Sequence, residues 1–232
     1  MENALRRGPE ARRRGLLFRG AEYLRRGYVV FRREREIARL NRLALSAARG
    51  SGGEIWLEIG SGPRKGANGW ITFDLPGASL SEGADLLGDL TNPLPFHDNE
   101  VARIYCSHVL EHFHIRELMK LLAECHRALC PGGTMSVAVP NARIYLDGYF
   151  ASEKFDLQRF LQYEPAVTNF GRMDIVAYMA YMNGDHRYMF DEENLLRVLR
   201  GAGFARAELR GFDEALDLRE RDYESIYALA TK

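Results

Sequence analysis

The sequence of 232 residues lacks several features, and each absence removes a class of protein. No apolar stretch approaches 18 residues, so no segment reads as a membrane-spanning helix. There are only three cysteines, Cys106, Cys125 and Cys130, and none forms a CxxC pair. An odd count with no secretory leader argues for reduced thiols and against a disulfide-stapled scaffold. Arg6, Arg7 and Arg12 to Arg14 crowd the start, but no uninterrupted apolar run follows, so this is not a secretory signal. The expectation is a cytoplasmic protein. Internal repeats and low-complexity tracts are also missing. Apolar residues at 46% and charged residues at 28% are ordinary for a globular chain and suffice for a core. Length suits one domain with a modest appendage.

Net charge is missing too, since Lys plus Arg and Asp plus Glu stand at 32 each. The balance hides an asymmetry. Residues 1–50 carry fourteen Arg, no Lys and five Glu, a local charge of +9 that the remainder offsets. Residues 10–49 read as helical, with Leu40, Leu43, Ala44, Ala47 and Ala48 at helical spacing. Gly15, Gly20 and Gly27 interrupt the earlier part, and Arg49-Gly50-Ser51-Gly52-Gly53 is a stop and linker. This basic helical arm, residues 1–50, has three readings. It packs on the domain that follows, or it makes peripheral contact with a membrane surface, or it binds nucleic acid. The last is weakest, because the arm holds no recognisable reading motif.

Past the linker, short apolar strands alternate with helices. Strands are expected at Glu54–Ile59, Gly69–Leu75, Val101–Cys106 and Thr134–Val139. A helix is expected at Arg116–Leu129, stopped by Pro131-Gly132-Gly133. Such alternation implies a mostly parallel sheet with helices on its faces. Residues 141–185 break the rhythm and read as a helical insertion rich in Tyr, Phe and Met. Asp191 then caps a helix to about Leu199, and two paired strands follow at Phe204–Leu209 and Ser225–Ala230.

The chemistry-bearing residues fall at strand ends. Gly60 and Gly62 follow an apolar strand, where glycines let a ligand approach the backbone. Asp74 ends the next strand, and an acid there can accept hydrogen bonds from both hydroxyls of a ribose. Asp89 could accept from an adenine amino group, with Leu90 against the base. After the third strand stands Ser107-His108-Val109-Leu110-Glu111-His112-Phe113-His114. Its H-x-x-E-H order resembles the inverted zincin pattern, but it follows a strand directly, so no metal is expected. His108 is read as lining the pocket and His112 as packing locally. His186, at the exit of the insertion, or His108 could act as a general base and be catalytic. Arg187 could hold an acidic substrate or dock to the sheet. Tyr145, Tyr149, Phe150, Tyr178 and Tyr181 could wall an acceptor pocket or form a plain apolar core.

The runs LEIGSGP (57–63), WITFDL (70–75), GDLTNPLPFHDNEVARIYCSHVLEHF (88–113) and ECHRALCPGGTMSVAVPN (124–141) resemble a class I methyltransferase that uses S-adenosylmethionine. The group is the one called methyltransferase domain 11, and the subgroup is a small one associated with surface-polysaccharide enzymes. The resemblance covers residues 54–140 closely and 186–230 loosely. It implies a Rossmann-like, mostly parallel seven-stranded sheet over residues 51–232, with 141–185 on the acceptor side. It places Glu58, Gly60, Ser61 and Gly62 around the amino-acid moiety of the cofactor, Asp74 at the ribose, and Asp89 and Leu90 at the adenine. Ser107, His108 and Leu110 would line the pocket near the sulfonium, and Glu111 and His112 would support that loop. One departure stands out. Only Pro63 to Gly69 separate the glycine turn from the next strand, too few for a helix, so the first crossover must be abbreviated. That counts against a dinucleotide and hence an NAD-dependent oxidoreductase, since a pyrophosphate needs a helix N-terminus. No Asn/Asp-Pro-Pro-Tyr/Phe motif follows the third strand, which favours a small-molecule or glycan acceptor over DNA. The expected function is O-methylation of such an acceptor. The alternative is a non-catalytic cofactor-binding or partner-binding protein of the same fold.

Overall fold

The computed structural model describes residues 31–62, 65–77, 83–150 and 171–232. The first part of the basic arm with its three glycines, Pro63, and the centre of the insertion lie outside the described residues.

Seven strands form one sheet: β1 (Ile55–Ile59), β2 (Trp70–Asp74), β3 (Leu86–Leu87), β4 (Val101–Ser107), β5 (Leu129–Pro140), β6 (Arg206–Arg210) and β7 (Ser225–Thr231). Their order is β3-β2-β1-β4-β5-β7-β6. All neighbours are parallel except β7, which runs antiparallel to β5 and β6. From β1 the chain builds outward to one side and then, from β4, to the other. The carboxyl end of β1 is therefore the topological switch point, where open α/β sheets bind ligands.

Burial alternates along β1: Ile55, Leu57 and Ile59 are buried, while Trp56 and Glu58 are half-buried. The buried row faces the main core. A helix over 31–50 (α1) contributes Leu45 to that core, with Ala44 and Ala48 packed against it. The helix α2 (Ile115–Ala128) contributes Leu118, Leu121, Leu122 and Cys125 at the 3-and-4 spacing that puts them on one face. Leu195, Val198 and Leu199 come from a later helix, Glu192–Gly201, which is capped by the predicted Asp191 through a 2.8 Å bond from the Asn194 N–H. These three helices thus share one core. The other side of the sheet carries Trp56, Trp70 and Arg103, with the guanidinium 4.6 Å from the Trp56 ring. It is closed in part by a loop whose buried Asp217 accepts from Tyr105 at 3.1 Å and from Arg210 at 2.5 Å.

The first crossover is abbreviated as expected. No helix occurs among the described residues between β1 and β2. Asp85 holds that connection: its Oδ2 accepts from the Gly66 N–H at 2.9 Å, the Thr72 N–H at 3.1 Å and the Thr72 hydroxyl at 2.9 Å. The Pro131-Gly132-Gly133 run does not act as the helix stop. The helix ends at Ala128, and the run bulges out within β5, between the Leu129–Val101 and Thr134–Arg103 pairs. Lys232 satisfies the bulge, accepting from the Gly132 N–H and donating to the Gly133 carbonyl. In the insertion, α3 (Ala142–Phe150) and α4 (Arg172–Tyr181) build a separate small core from Tyr145, Ile175 and Met179. The helix Glu192–Gly201 is α5.

Candidate active site at the carboxyl edge of the sheet

Three strand ends are stitched together by backbone bonds. Gly60 and Gly62 both take left-handed φ, +72° and +69°, a region costly for side-chain-bearing residues. The Gly60 N–H donates to Phe73 O at 2.9 Å, and a Cβ at Gly60 would overlap the Val109 side chain. Around a Cβ at Gly62 no atom of the described residues stands within 4 Å, so the backbone there is open among them. The Gly62 N–H donates to Asp74 Oδ2 at 2.5 Å, and the Leu75 N–H donates to Oδ1 at 2.6 Å. Each oxygen of a carboxylate has a further lone pair. The half-buried Asp74 can therefore still accept from two hydroxyls of a ligand. Its backbone carbonyl accepts from the Gly88 N–H at 2.9 Å, which brings the β3 exit alongside. There Asp89 is exposed, with Oδ1 closing a turn onto the Thr91 N–H and hydroxyl at 2.8 Å each, while Leu90 is buried. Ser61 is buried, its hydroxyl donating to Gly62 O at 3.1 Å.

The exit of β4 forms a second group. His108 takes a left-handed φ of +53°, which turns its ring inward. Its Nε2 lies 2.9 Å from the Ser225 hydroxyl, and that hydroxyl donates to Arg221 O at 2.7 Å. The network therefore assigns the proton to Nε2 and leaves Nδ1 bare. Nδ1 faces Glu111 Oε1 at 3.6 Å. Burial pushes His108 down to about 3, aided by the charge of Arg221, so the ring is neutral. Glu111 is 2% exposed, and burial pushes its carboxyl up to about 8. Its backbone carbonyl accepts from the N–H groups of Arg187 and Tyr188, at 2.7 Å and 3.1 Å. That clamps the segment after the insertion onto the β4 exit. His112 and His186 complete the group, their rings 5.3 Å apart. His186 is buried, its Nδ1 2.8 Å from Met179 O, and burial lowers its pKa.

The expected site residues divide accordingly. Gly60, Ser61, Gly62, Asp74, Asp89 and Leu90 meet at one edge, and His108 and His186 meet through Glu111. Ser107, half-buried, is the last residue of β4. Glu58 lies within β1, in register with Thr72 and Tyr105, two residues back from the turn. Leu110 is fully buried and belongs to the main core. Arg187 takes the docking role, with its guanidinium 3.0 Å from His114 Nε2. Among the aromatics, Tyr145 is core, with its hydroxyl 3.1 Å from Glu224, whereas Phe150 and Tyr181 are exposed and Tyr149 and Tyr178 half-buried. Ser225 and Arg221 were not foreseen. They come from more than 100 residues further along the chain, Arg221 in a short 3-10 turn and Ser225 at the start of β7, where no local motif marks them.

A family model described as a methyltransferase domain matches residues 76–137. No curated protein matches the sequence. Among solved structures, a SAM-dependent methyltransferase from Archaeoglobus fulgidus is 16% identical, with 86% of this chain and 94% of that one covered at a TM-score of 0.49. A SAM-dependent methyltransferase from Thermotoga maritima is 18% identical, with 89% and 97% covered at 0.47. A candidate O-methyltransferase from Nostoc punctiforme is 14% identical, with 83% of this chain covered at 0.45, and the present chain spans 56% of its length. These are likenesses of fold. The matched stretch spans β3, β4, α2 and most of β5 of a Rossmann-like sheet.

Proposed function

We propose that this domain binds S-adenosylmethionine at the carboxyl edge of β1 and β2 and methylates a hydroxyl oxygen of a glycan or other small metabolite. The carrying observation is the pairing of Gly62 with Asp74 at the switch point, where an open backbone meets a carboxylate with acceptor capacity to spare. Gly60, Ser61 and Gly62, with Glu58 behind them, take the amino-acid end of the donor. Asp74 takes the ribose hydroxyls, Asp89 the adenine amino group, and Leu90 the base. Ser107, His108 and Leu110 stand toward the sulfonium. The missing first helix suits a donor without phosphate.

When bound, the donor supplies an electrophilic methyl on sulfur: the C–S bond breaks with its electron pair left on sulfur as the O–C bond forms. The chain's own residues align the acceptor with that methyl, and alignment is the larger part of the rate. The acceptor's proton leaves to His186, whose Nδ1 donates to Met179 O and whose Nε2 keeps its lone pair. His108 positions rather than accepts, because Ser225 holds its Nε2. The test is titration calorimetry with S-adenosylmethionine, S-adenosylhomocysteine and NAD. The expected result is micromolar binding of the first two only, weakened at least about tenfold in Asp74→Ala, since removing a partner of a hydrogen-bonded ligand costs about 1.5–3 kcal/mol. Absence of heat with either adenosyl ligand, confirmed by a second binding probe, sinks the reading.

A further inference from the structure

The geometry points to a binding site for one divalent transition-metal ion of the zinc class, formed by Glu111, His112 and His186 at the acceptor end of the edge. One ligand atom from each residue lies within 4.8 Å of the others. Glu111 Oε1 and His112 Nε2 are 3.9 Å apart. Both imidazoles are prepared in the same way. His112 Nδ1 is 3.0 Å from Asp185 O, and His186 Nδ1 is 2.8 Å from Met179 O. A backbone carbonyl can only accept, so both protons sit on Nδ1, and neither Nε2 lone pair has a hydrogen-bond donor among the described residues. That is the outer arrangement that fixes metal-ligating histidines.

The carboxylate supplies an independent observation. Glu111 Oε2 is buried and has no hydrogen-bond partner among the described residues. An orphaned buried carboxylate oxygen is costly, and a native fold rarely leaves one without a reason. A cation held by this carboxylate among the three side chains neutralises the buried group and so lowers that cost. Metal bonds of about 2.0–2.2 Å place tetrahedral ligands roughly 3.4 Å apart. Ligand atoms up to 4.8 Å apart must therefore draw in by as much as about 1.4 Å on binding, and the exposed His112 is the member freest to move. Two imidazoles and one carboxylate select zinc-like ions over magnesium or calcium. Three protein ligands leave a coordination position open, as in metal sites that act on substrate.

The catalytic use of the ion rests on the methyltransferase reading. An acceptor hydroxyl taken into the open position loses its proton to solvent more readily, and the oxygen remains to attack the methyl. His186 then spends its lone pair on the ion, and the ion rather than the imidazole acidifies the acceptor.

The experiment uses the full chain without a histidine tag, stripped with chelator and titrated with zinc, and with cobalt as a coloured probe. The expected result is about one equivalent bound, with visible cobalt d–d absorption and affinity reduced more than about 100-fold in His112→Ala and in His186→Ala. His114→Ala, a nearby surface histidine, should bind like the wild type. Circular dichroism confirms folding, and the exposed His112 can be replaced without touching the core. Absence of binding to the folded wild type, or equal binding by all three variants, overturns the inference. Donor calorimetry on stripped and loaded protein separates the two readings. Donor binding without metal binding leaves the methyltransferase reading standing, and metal binding without donor binding leaves only the site.

Discussion

At Gly60 and Gly62 the same left-handed backbone meets different surroundings. An alanine at either position adds about 1–2 kcal/mol of backbone strain. At Gly60 the new methyl also collides with Val109, which is packed in the core. At Gly62 it enters open space. Gly60→Ala should therefore lower the thermal midpoint clearly more than Gly62→Ala does. Gly62→Ala should instead show itself in donor affinity, because its methyl occupies ligand space. Scanning calorimetry and donor titration on both variants check the split, and equal loss of stability would refute it. These glycines and Asp74 were legible because a turn after an apolar strand, with an acid one strand later, is a local pattern. The state of His108 was not. Its ring is neutral because burial desolvates it and the charge of Arg221, from the far end of the chain, opposes a second positive charge, and a sequence shows histidine without showing what buries it.

The helix α2 does more than cover the sheet, because its last turn also fastens the loop that follows Leu90. Arg127 donates to Leu94 O, Phe96 O and Asp98, while Glu124 accepts from the Leu94 N–H at 3.1 Å and from Arg127 at 2.8 Å. Those bonds from Arg127 hold the Glu124 carboxyl below its ordinary value. A depressed folded-state value contributes stability that is present above the unfolded value near 4.3 and lost as pH falls through the folded one. The pair is only partly buried, so Glu124→Gln should cost about 0.5–1.5 kcal/mol at neutral pH. The gap to wild type should close as pH drops below about 4. Denaturant unfolding at several pH values measures it, and a gap that persists in acid would contradict the assignment. The helix was readable from its apolar spacing. The two-residue strand β3 and the bulge at 130–133 were not, since both depend on partners: β2 for one, and Lys232 for the other.

Across the whole molecule, the described part of the basic arm, α1, is tied to the body. In α1, Asn41 completes the outer edge of the sheet. Its side-chain amide donates to Leu87 O at 2.8 Å and accepts from the Leu87 N–H at 2.9 Å, pairing both backbone groups of the edge strand. Leu45 is buried in the main core, and Arg49 pairs with Glu100 at 2.5 Å. This half belongs energetically to the body. Residues 1–30 contribute eight Arg against three Glu, a charge density fitted to an anionic surface. Removing the two parts is expected to have different effects. Deleting 1–30 should leave the thermal midpoint within a few degrees of wild type, whereas deleting 1–50 strips Leu45 and Asn41 from the core and edge and should abolish cooperative unfolding. Asn41→Ala, which leaves Leu87 N–H and C=O without their partner, should by itself cost about 1–3 kcal/mol. On vesicles containing phosphatidylserine, the full chain should bind at low salt and release as ionic strength rises, because surface charge is screened within about 10 Å at 0.1 M. The chain lacking 1–30 should not bind. Equal vesicle binding by both would move the contact to the body, and loss of the fold on removing 1–30 would show that the charged half is also structural.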